Sequence, residues 1–254
     1  MQITLLGTGT SSGVPVLTCE CEVCSSSDPK DNRLRVSVLI QTGTQNIIID
    51  TGPDFRQQLL KTKIKDLDAV IYTHEHKDHT AGLDDIRPFN YLRKNVDIPL
   101  YARPSVIAQL KREFHYAFEE NPYPGIPKIE AIPIENKPFY IEDLEIIPVE
   151  LMHHKLAVYG FRIGNFAYIT DANFISEKEK QKLHNLDVLV LNALQHTPHI
   201  SHFTLNEAIS LAEELSPKQT YLTHISHKMG LHNEVNKTLP EHIKLGYDGL
   251  SFTV

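Results

Sequence analysis

The chain has 254 residues, with 32 acidic against 25 basic side chains and 14 histidines, for a formal net charge of −7 with histidine neutral. A hydrophobic share of 41% and a charged share of 22% belong to a soluble globular chain with ample material for a core, and no apolar stretch nears the roughly 20 residues of a membrane span. The acidic balance argues against broad nucleic-acid binding, which needs a basic footprint to displace counterions from many phosphates.

No Pro/Gly/Ser-rich linker interrupts the chain, so residues 1–254 are expected to form a single domain. Residues 1–7 lack the basic start and long apolar region of a signal peptide and read as a first strand, which predicts a cytoplasmic protein with no membrane association. Gly7-Thr8-Gly9-Thr10-Ser11-Ser12-Gly13-Val14-Pro15 follows as a loop of small residues. It suits an anion cradle or a plain turn, and without a Lys after its last Gly it is not a nucleotide loop. All three cysteines sit in Cys19-Glu20-Cys21-Glu22-Val23-Cys24. Three thiols cannot all pair within one chain, whereas C-x-C-x-x-C offers three thiolates to one tetrahedral zinc, with His227 the best fourth ligand.

Residues 33–40 and 46–50 flank Thr42-Gly43-Thr44 and predict a hairpin. Asp50 at its end is a direct ligand or, better, a residue that holds a ligand histidine by hydrogen bond. Asp54 is placed to cap a helix beginning at Phe55. The apolar run Ala69-Val70-Ile71-Tyr72 reads as a buried strand and runs directly into Thr73-His74-Glu75-His76-Lys77-Asp78-His79. In an extended or tightly looped segment His74 and His76 point to one side while Asp78 and His79 turn to a second centre, so H-x-H-x-D-H suits two adjacent cations.

A short helix and loop are expected over 80–90, where Arg87 is a candidate phosphate clamp or a salt-bridge partner of Asp84 or Asp85. An amphipathic helix is expected over 104–118, and Asn121-Pro122-Tyr123-Pro124-Gly125-Ile126-Pro127 reads as a stiff surface connector or a lid. The second half repeats the pattern of a strand ending in a candidate ligand. A strand over 144–151 ends at His153 and His154, a hairpin of 159–163 with 166–170 ends at Asp171, and a strand over 219–223 ends at His224. Between them lie a strand over 187–191 and a helix over 204–215.

H-x-H-x-D-H resembles the signature of the metallo-β-lactamase-fold hydrolases. Further features resemble the PhnP-like phosphodiesterase group of that superfamily: Gly7-Thr8-Gly9, the cysteine triplet, Leu151-x-His153-x-Lys155, Leu222-Thr223-His224-Ile225-Ser226-His227 and Gly246-Tyr247-Asp248-Gly249. The resemblance spans nearly the whole chain and implies an α/β (α+β) fold, a four-layered αββα sandwich. It also implies that His74, His76 and His153 bind one divalent metal, that Asp78, His79 and His224 bind another, and that Asp171 bridges them. His154 rivals His153. Cys19, Cys21, Cys24 and His227 would hold a structural zinc. His202 would be the proton donor, with His199 and His196 as competitors, and Asp78 is counted with His202 as catalytic. Asp171-Ala172-Asn173 and the segment 84–90 depart from the group's pattern.

The implied activity is that of a metal-dependent phosphodiesterase acting on a small phosphodiester, open-chain or cyclic like a ribosyl 1,2-cyclic phosphate, with a water shared by two metals as nucleophile. Mixed imidazole and carboxylate donors accept Zn, Mn or Fe alike. The same chemistry attacks carbonyls, which makes a lactonase or thioesterase the alternative. Transfer-RNA 3′ processing and a non-catalytic metal-binding sensor stand behind it. A homodimer is compatible with the resemblance, and no nucleic-acid partner is expected.

Overall fold

Runs rich in isoleucine, valine and leucine become the strands of two sheets in a computed structural model that describes residues 1–119, 123 and 125–254. The first sheet contains β1 (Gln2–Gly7), β2 (Ser37–Gln41), β3 (Asn46–Ile49), β4 (Ala69–Ile71), β5 (Ile98–Ala102) and β6 (Ile129–Pro133) in that spatial order, with the strand Ser251–Thr253 beside β1. β2 and β3 form the expected antiparallel hairpin, and β3, β4, β5 and β6 run parallel. Parallel neighbours are buried on both faces, which explains why Ile47, Ile48 and Ile49 of β3 and all of β4 are apolar.

The second sheet is built from β7 (Phe139–Ile141), β8 (Leu144–His153), β9 (Leu156–Ile163), β10 (Phe166–Ile169), β11 (Phe174–Ile175), β12 (Val188–Asn192), β13 (Gln219–Thr223) and β14 (Ile243–Leu245). Its order is β11-β8-β9-β10-β12-β13-β14, with β7 paired to β8. β8, β9 and β10 are antiparallel, and β10, β12, β13 and β14 are parallel. Gly164, at φ +58°, makes the β9–β10 turn with the left-handed backbone that hairpin connections favour.

By contacts the chain divides into two compact units. One comprises Met1–Leu6, Ser37–Glu135 and Ser251–Thr253, and the other comprises Gly7–Val36, Asn136–Leu250 and Val254. The first packs Leu39, Ile48 and Val70 with Phe55, Leu83, Val106 and Leu110. The second packs Val149, Leu151, Ile169, Leu189 and Leu222 against the helix Leu205–Leu215. That helix buries Leu205, Ala208, Leu211, Ala212 and Leu215, the one-sided spacing of an amphipathic helix, and each buried Leu contributes about 1.5–3 kcal/mol. Thr204 and Glu207 close a reciprocal capping box at its start, typically worth about 1 kcal/mol.

Three sequence expectations shift in detail. The strand expected over 33–40 starts only at Ser37, because the Arg33 side chain is drawn inward: it is 3% exposed and donates to Thr8 Oγ1 at 2.8 Å and the Gly246 carbonyl at 2.6 Å. The helix expected over 104–118 ends at Glu113, where Phe114 leaves helical angles and a 3₁₀ turn, His115–Phe118, takes over. Asp54 occupies the cap position of the helix Phe55–Thr62, but its side chain makes no capping hydrogen bond. β5 and β6 were not foreseen, since Pro99 and Pro133 disguise them. Of the expected connector at 121–127, Asn121, Pro122 and Pro124 lie outside the described residues.

Candidate metal sites

In the first unit the donors follow β4 directly. His74 and His79 are buried and His76 is exposed at the entry to the short helix Lys77–Thr80. The His74 ring lies 4.6 Å from that of His76 and 4.1 Å from that of His79, and His79 Nε2 is 3.3 Å from Asp78 Oδ2. The four candidate ligands of this segment are therefore gathered in one place. Asp50, at the end of β3, orients them from behind. Its fully buried carboxylate accepts from His79 Nδ1 at 2.7 Å, from the Thr73 N–H at 2.9 Å and from the Thr73 hydroxyl at 2.8 Å. With Nδ1 carrying the donated proton, the lone pair of His79 is on Nε2, where a metal would take it. Burial pushes the Asp50 carboxyl upward, opposed by His79 and Thr73. The hydrogen bond expected between Asp50 and a histidine of the cluster is present.

Arg87, the candidate clamp, is paired with Asp84: Nη2 to Oδ2 at 3.0 Å, with Nε donating to the Asp84 carbonyl at 3.1 Å. The Tyr116 hydroxyl donates to the same carboxylate at 2.6 Å. The salt-bridge reading of Arg87 therefore fits the structure.

In the second unit four donors converge from strand ends and one loop. His153 closes β8, Asp171 follows β10, His202 precedes the helix Leu205–Leu215, and His224 follows β13. Donor atoms of His153, Asp171 and His202 lie within 4.8 Å of one another, and His224 Nδ1 is 3.1 Å from Asp171 Oδ2. His153 donates from Nδ1 to the Ser201 carbonyl at 2.9 Å, which again leaves Nε2 as the lone-pair nitrogen. His154 is exposed, at φ +56°, and its backbone N–H is held by Asn173 Oδ1 at 2.8 Å. His153, not His154, faces the other donors.

His202 packs between imidazoles, its ring 4.7 Å from His153 and stacked 4.6 Å from His224. Its buried Nδ1 makes no hydrogen bond and faces Asp171 Oδ1 at 3.9 Å. Burial first, then the neighbouring His224, lowers His202 to about 3, so the ring is neutral at pH 7 in the ligand-free protein. Of its competitors, His196 Nε2 is spent on the Met229 carbonyl at 2.7 Å, and His199 is exposed beside Ser201.

The cysteine loop and His227 come together as expected. His227 Nδ1 lies 3.2 Å from Cys19 Sγ and 3.5 Å from the sulfurs of both Cys21 and Cys24. Zinc bonds of about 2.3 Å to sulfur and 2.0 Å to nitrogen give a tetrahedral edge near 3.5 Å, so the cage fits that ion. Backbone N–H groups face the sulfurs, Val16 donating to Cys24 Sγ at 3.3 Å and Cys24 to Cys21 Sγ at 3.5 Å. The Cys21 thiol falls to about 6, chiefly through the Cys24 N–H, whereas burial lifts Cys24 to about 11.

Four N–H groups of the glycine loop are taken up by backbone carbonyls, which fits the turn reading better than the anion cradle. Gly9 donates to Leu34, Thr10 to Ile225, Gly13 to Thr10 and Val14 to Arg33. A Cβ at Gly9 would come within 2.8 Å of the Arg33 carbonyl. The loop instead brings Thr10 Oγ1 to 3.2 Å from His224 Nε2. Sequence reasoning missed Thr10, Thr73 and the Ser201 carbonyl; a buried polar residue adjoining a histidine-bearing strand end is the signal that could have found Thr73.

Residues 45–225 match the family described as the β-lactamase superfamily domain. A crystal structure of a diphosphatase from the PhnP family superposes with a TM-score of 0.93, at 43% identity, covering 99% of this chain and 96% of that one. The chain belongs to the β-lactamase superfamily, in its PhnP-like group. The expected metallo-β-lactamase fold is thereby borne out as a mixed α/β fold with two sheets. Among curated proteins, the octanoyltransferase of Porphyromonas gingivalis is 41% identical over 253 residues, 98% of this PhnP-like chain and 51% of the relative. The ribonuclease Z of Nostoc punctiforme is 26% identical over 167 residues, 65% of this chain and 47% of that protein. The PhnP-like chain thus spans about half the length of these two curated relatives. Among the described residues no helix is long and apolar enough to cross a membrane.

Proposed function

We propose that this chain is a dinuclear metal-dependent hydrolase that cleaves a P–O bond at a doubly substituted phosphorus, in a small and preferably cyclic phosphodiester. The observation that carries the reading is the set of donors at successive strand ends, in which His79 and His153 each commit Nδ1 to a protein oxygen and keep Nε2 for a cation. In the proposed ligand set His74, His76 and His153 serve one cation, Asp78, His79 and His224 a second, and Asp171 both. Cys19, Cys21, Cys24 and His227 keep a structural zinc. The PhnP-family diphosphatase, 43% identical over nearly the full length, supports attack at phosphorus.

Divalent cations at such a site supply a lowered pKa for water and polarisation of the phosphoryl oxygens. The protein's own part is to fix the donors and to manage one proton. Asp50 and the Ser201 carbonyl hold two imidazoles in a single tautomer. His202, stacked on His224 and neutral in the ligand-free protein, is the proposed proton carrier to the leaving oxygen. The negative charge of a bound phosphate raises the proton affinity of that ring, and a general acid of this kind is typically worth about 10²–10⁴-fold.

A second reading, hydrolysis of a thioester or lactone, is favoured by the 41%-identical relative named for octanoyl transfer, although this chain covers only 51% of that protein. Metal-replete protein assayed on bis(p-nitrophenyl) phosphate, cyclic nucleotides, a thioester and a lactone under one metal regime separates the two. Turnover confined to the acyl substrates would overturn the phosphodiesterase reading. His202→Ala abolishing turnover with the metals still bound would exclude a purely sensory role.

A further inference from the structure

Among the described residues, Asp171 and His224 follow strands β10 and β13, and both have left-handed backbone, at φ +54° and +55°. For residues with a Cβ that conformation is costly and persists only where surrounding structure enforces it. At Asp171 the enforcement is visible. Asn192, the last residue of the neighbouring strand β12, is fully buried, and its side-chain amide grips both backbone polar groups of the residue after Asp171, Ala172. Asn192 Oδ1 accepts from the Ala172 N–H at 2.9 Å, and Asn192 Nδ2 donates to the Ala172 carbonyl at 2.9 Å. The amide acts as a side-chain rung that continues the β10–β12 pairing beyond Ile169↔Leu191, where the β10 backbone has already turned away.

The same stretch of backbone is fixed elsewhere. The Ala172 carbonyl also accepts from the Phe203 N–H at 2.8 Å, next to His202, and the Asn173 N–H donates to the Met152 carbonyl at 2.9 Å, next to His153. The Asp171 carboxylate is thereby aimed with one oxygen 3.1 Å from His224 and the other 3.9 Å from His202, and the Thr170 hydroxyl donates to it at 2.6 Å. Asn192 also pairs in register with Thr223, the residue before His224. A single buried amide therefore lies between the two ligand-bearing strand ends.

We propose that Asn192 is a positioning residue for the metal ligand Asp171: it holds the backbone of Ala172 on both sides of its Cα so that the Asp171 carboxylate is presented for coordination. The inference rests on the metallohydrolase reading above. Asparagine is suited to the task because it is neutral and offers a donor and an acceptor side by side, the pattern of a peptide unit. Neither Leu nor Asp at 192 could make both bonds.

The test uses Asn192→Ala and the milder Asn192→Ser, each compared with wild type in metal content by elemental analysis, in cation affinity by chelator competition, and in kcat and KM after full metal loading. Both variants are expected to keep the cysteine-bound zinc, to lose roughly tenfold or more in affinity for the other cations, and to fall in kcat with KM little changed. If Asn192→Ala does not fold, Asn192→Ser carries the same comparison. Wild-type affinity and kcat in a folded variant would overturn the positioning role while leaving the hydrolase reading intact. A wild-type protein that binds the zinc alone would overturn both.

Discussion

His79 Nδ1 and Asp50 Oδ2 meet at 2.7 Å with both side chains fully buried, and Thr73 adds two further donors to the same carboxylate. A buried carboxylate with three donors is a fixed acceptor that sets both ring orientation and tautomer. Asp50→Ala is expected to weaken cation binding about 10–100-fold, as loss of such supporting contacts does elsewhere. Chelator competition on the folded variant, with circular dichroism as the control, measures the effect.

Neighbouring histidines at the end of β8 should behave oppositely. His153→Ala removes a donor whose tautomer is set by the Ser201 carbonyl, and activity is expected to fall by at least about 100-fold with loss of bound cation. His154→Ala changes an exposed ring and should stay within about twofold of wild type, as surface substitutions usually do. Steady-state kinetics with metal analysis on both variants distinguishes them.

The cysteine cage should act on stability. If the proposed zinc is bound, Cys24→Ser is expected to remove one zinc per chain and to lower stability on the order of 3 kcal/mol or more, because that ion would tie the segment 19–24 to His227. Thermal unfolding with and without a strong chelator reads this out, and the wild type under chelator should approach the variant.

Arg87 is expected to be dispensable for substrate binding. Its guanidinium is half exposed and paired with Asp84, so Arg87→Ala should leave KM within about twofold and cost at most about 1 kcal/mol. A KM increase of tenfold or more would instead restore the phosphate-clamp role.

His232, packed against Arg33, supplies a pH dependence of its own. Burial, then Arg33 and Lys30, lowers its pKa to about 4, and Arg33 Nη2 lies 3.1 Å from its Nδ1. The folded pKa is below the unfolded value of about 6.5, so the unfolded chain takes up the proton first, and folding stability falls as pH drops from about 6.5 toward 4. The loss should be on the order of 2 kcal/mol, and His232→Asn should flatten the slope in denaturant titrations between those pH values.

The pattern of donors was legible because β4, β8, β10 and β13 are rich in apolar or β-branched residues and each ends at, or within three residues of, a histidine or an aspartate, and a strand's end marks a place on a sheet's rim. The cysteine triplet was legible because three thiols close in sequence have few other uses. What could not be read was the hydrogen bonding that crosses long separations, such as Asn192 to Ala172 or Arg33 to Gly246, since no local periodicity encodes it. The same limit hid the inward turn of Arg33, which alternates with apolar neighbours as a solvent-facing strand residue would.

Asp50, Asp171 and His224 all occupy backbone conformations that glycine would adopt at no steric cost. A stabilising redesign guided by backbone preference would count these three among its candidates for glycine, and each exchange would trade a modest conformational relief for a donor or anchor of the candidate metal sites. Thermostable versions of this protein are better sought among substitutions that leave every such kink untouched.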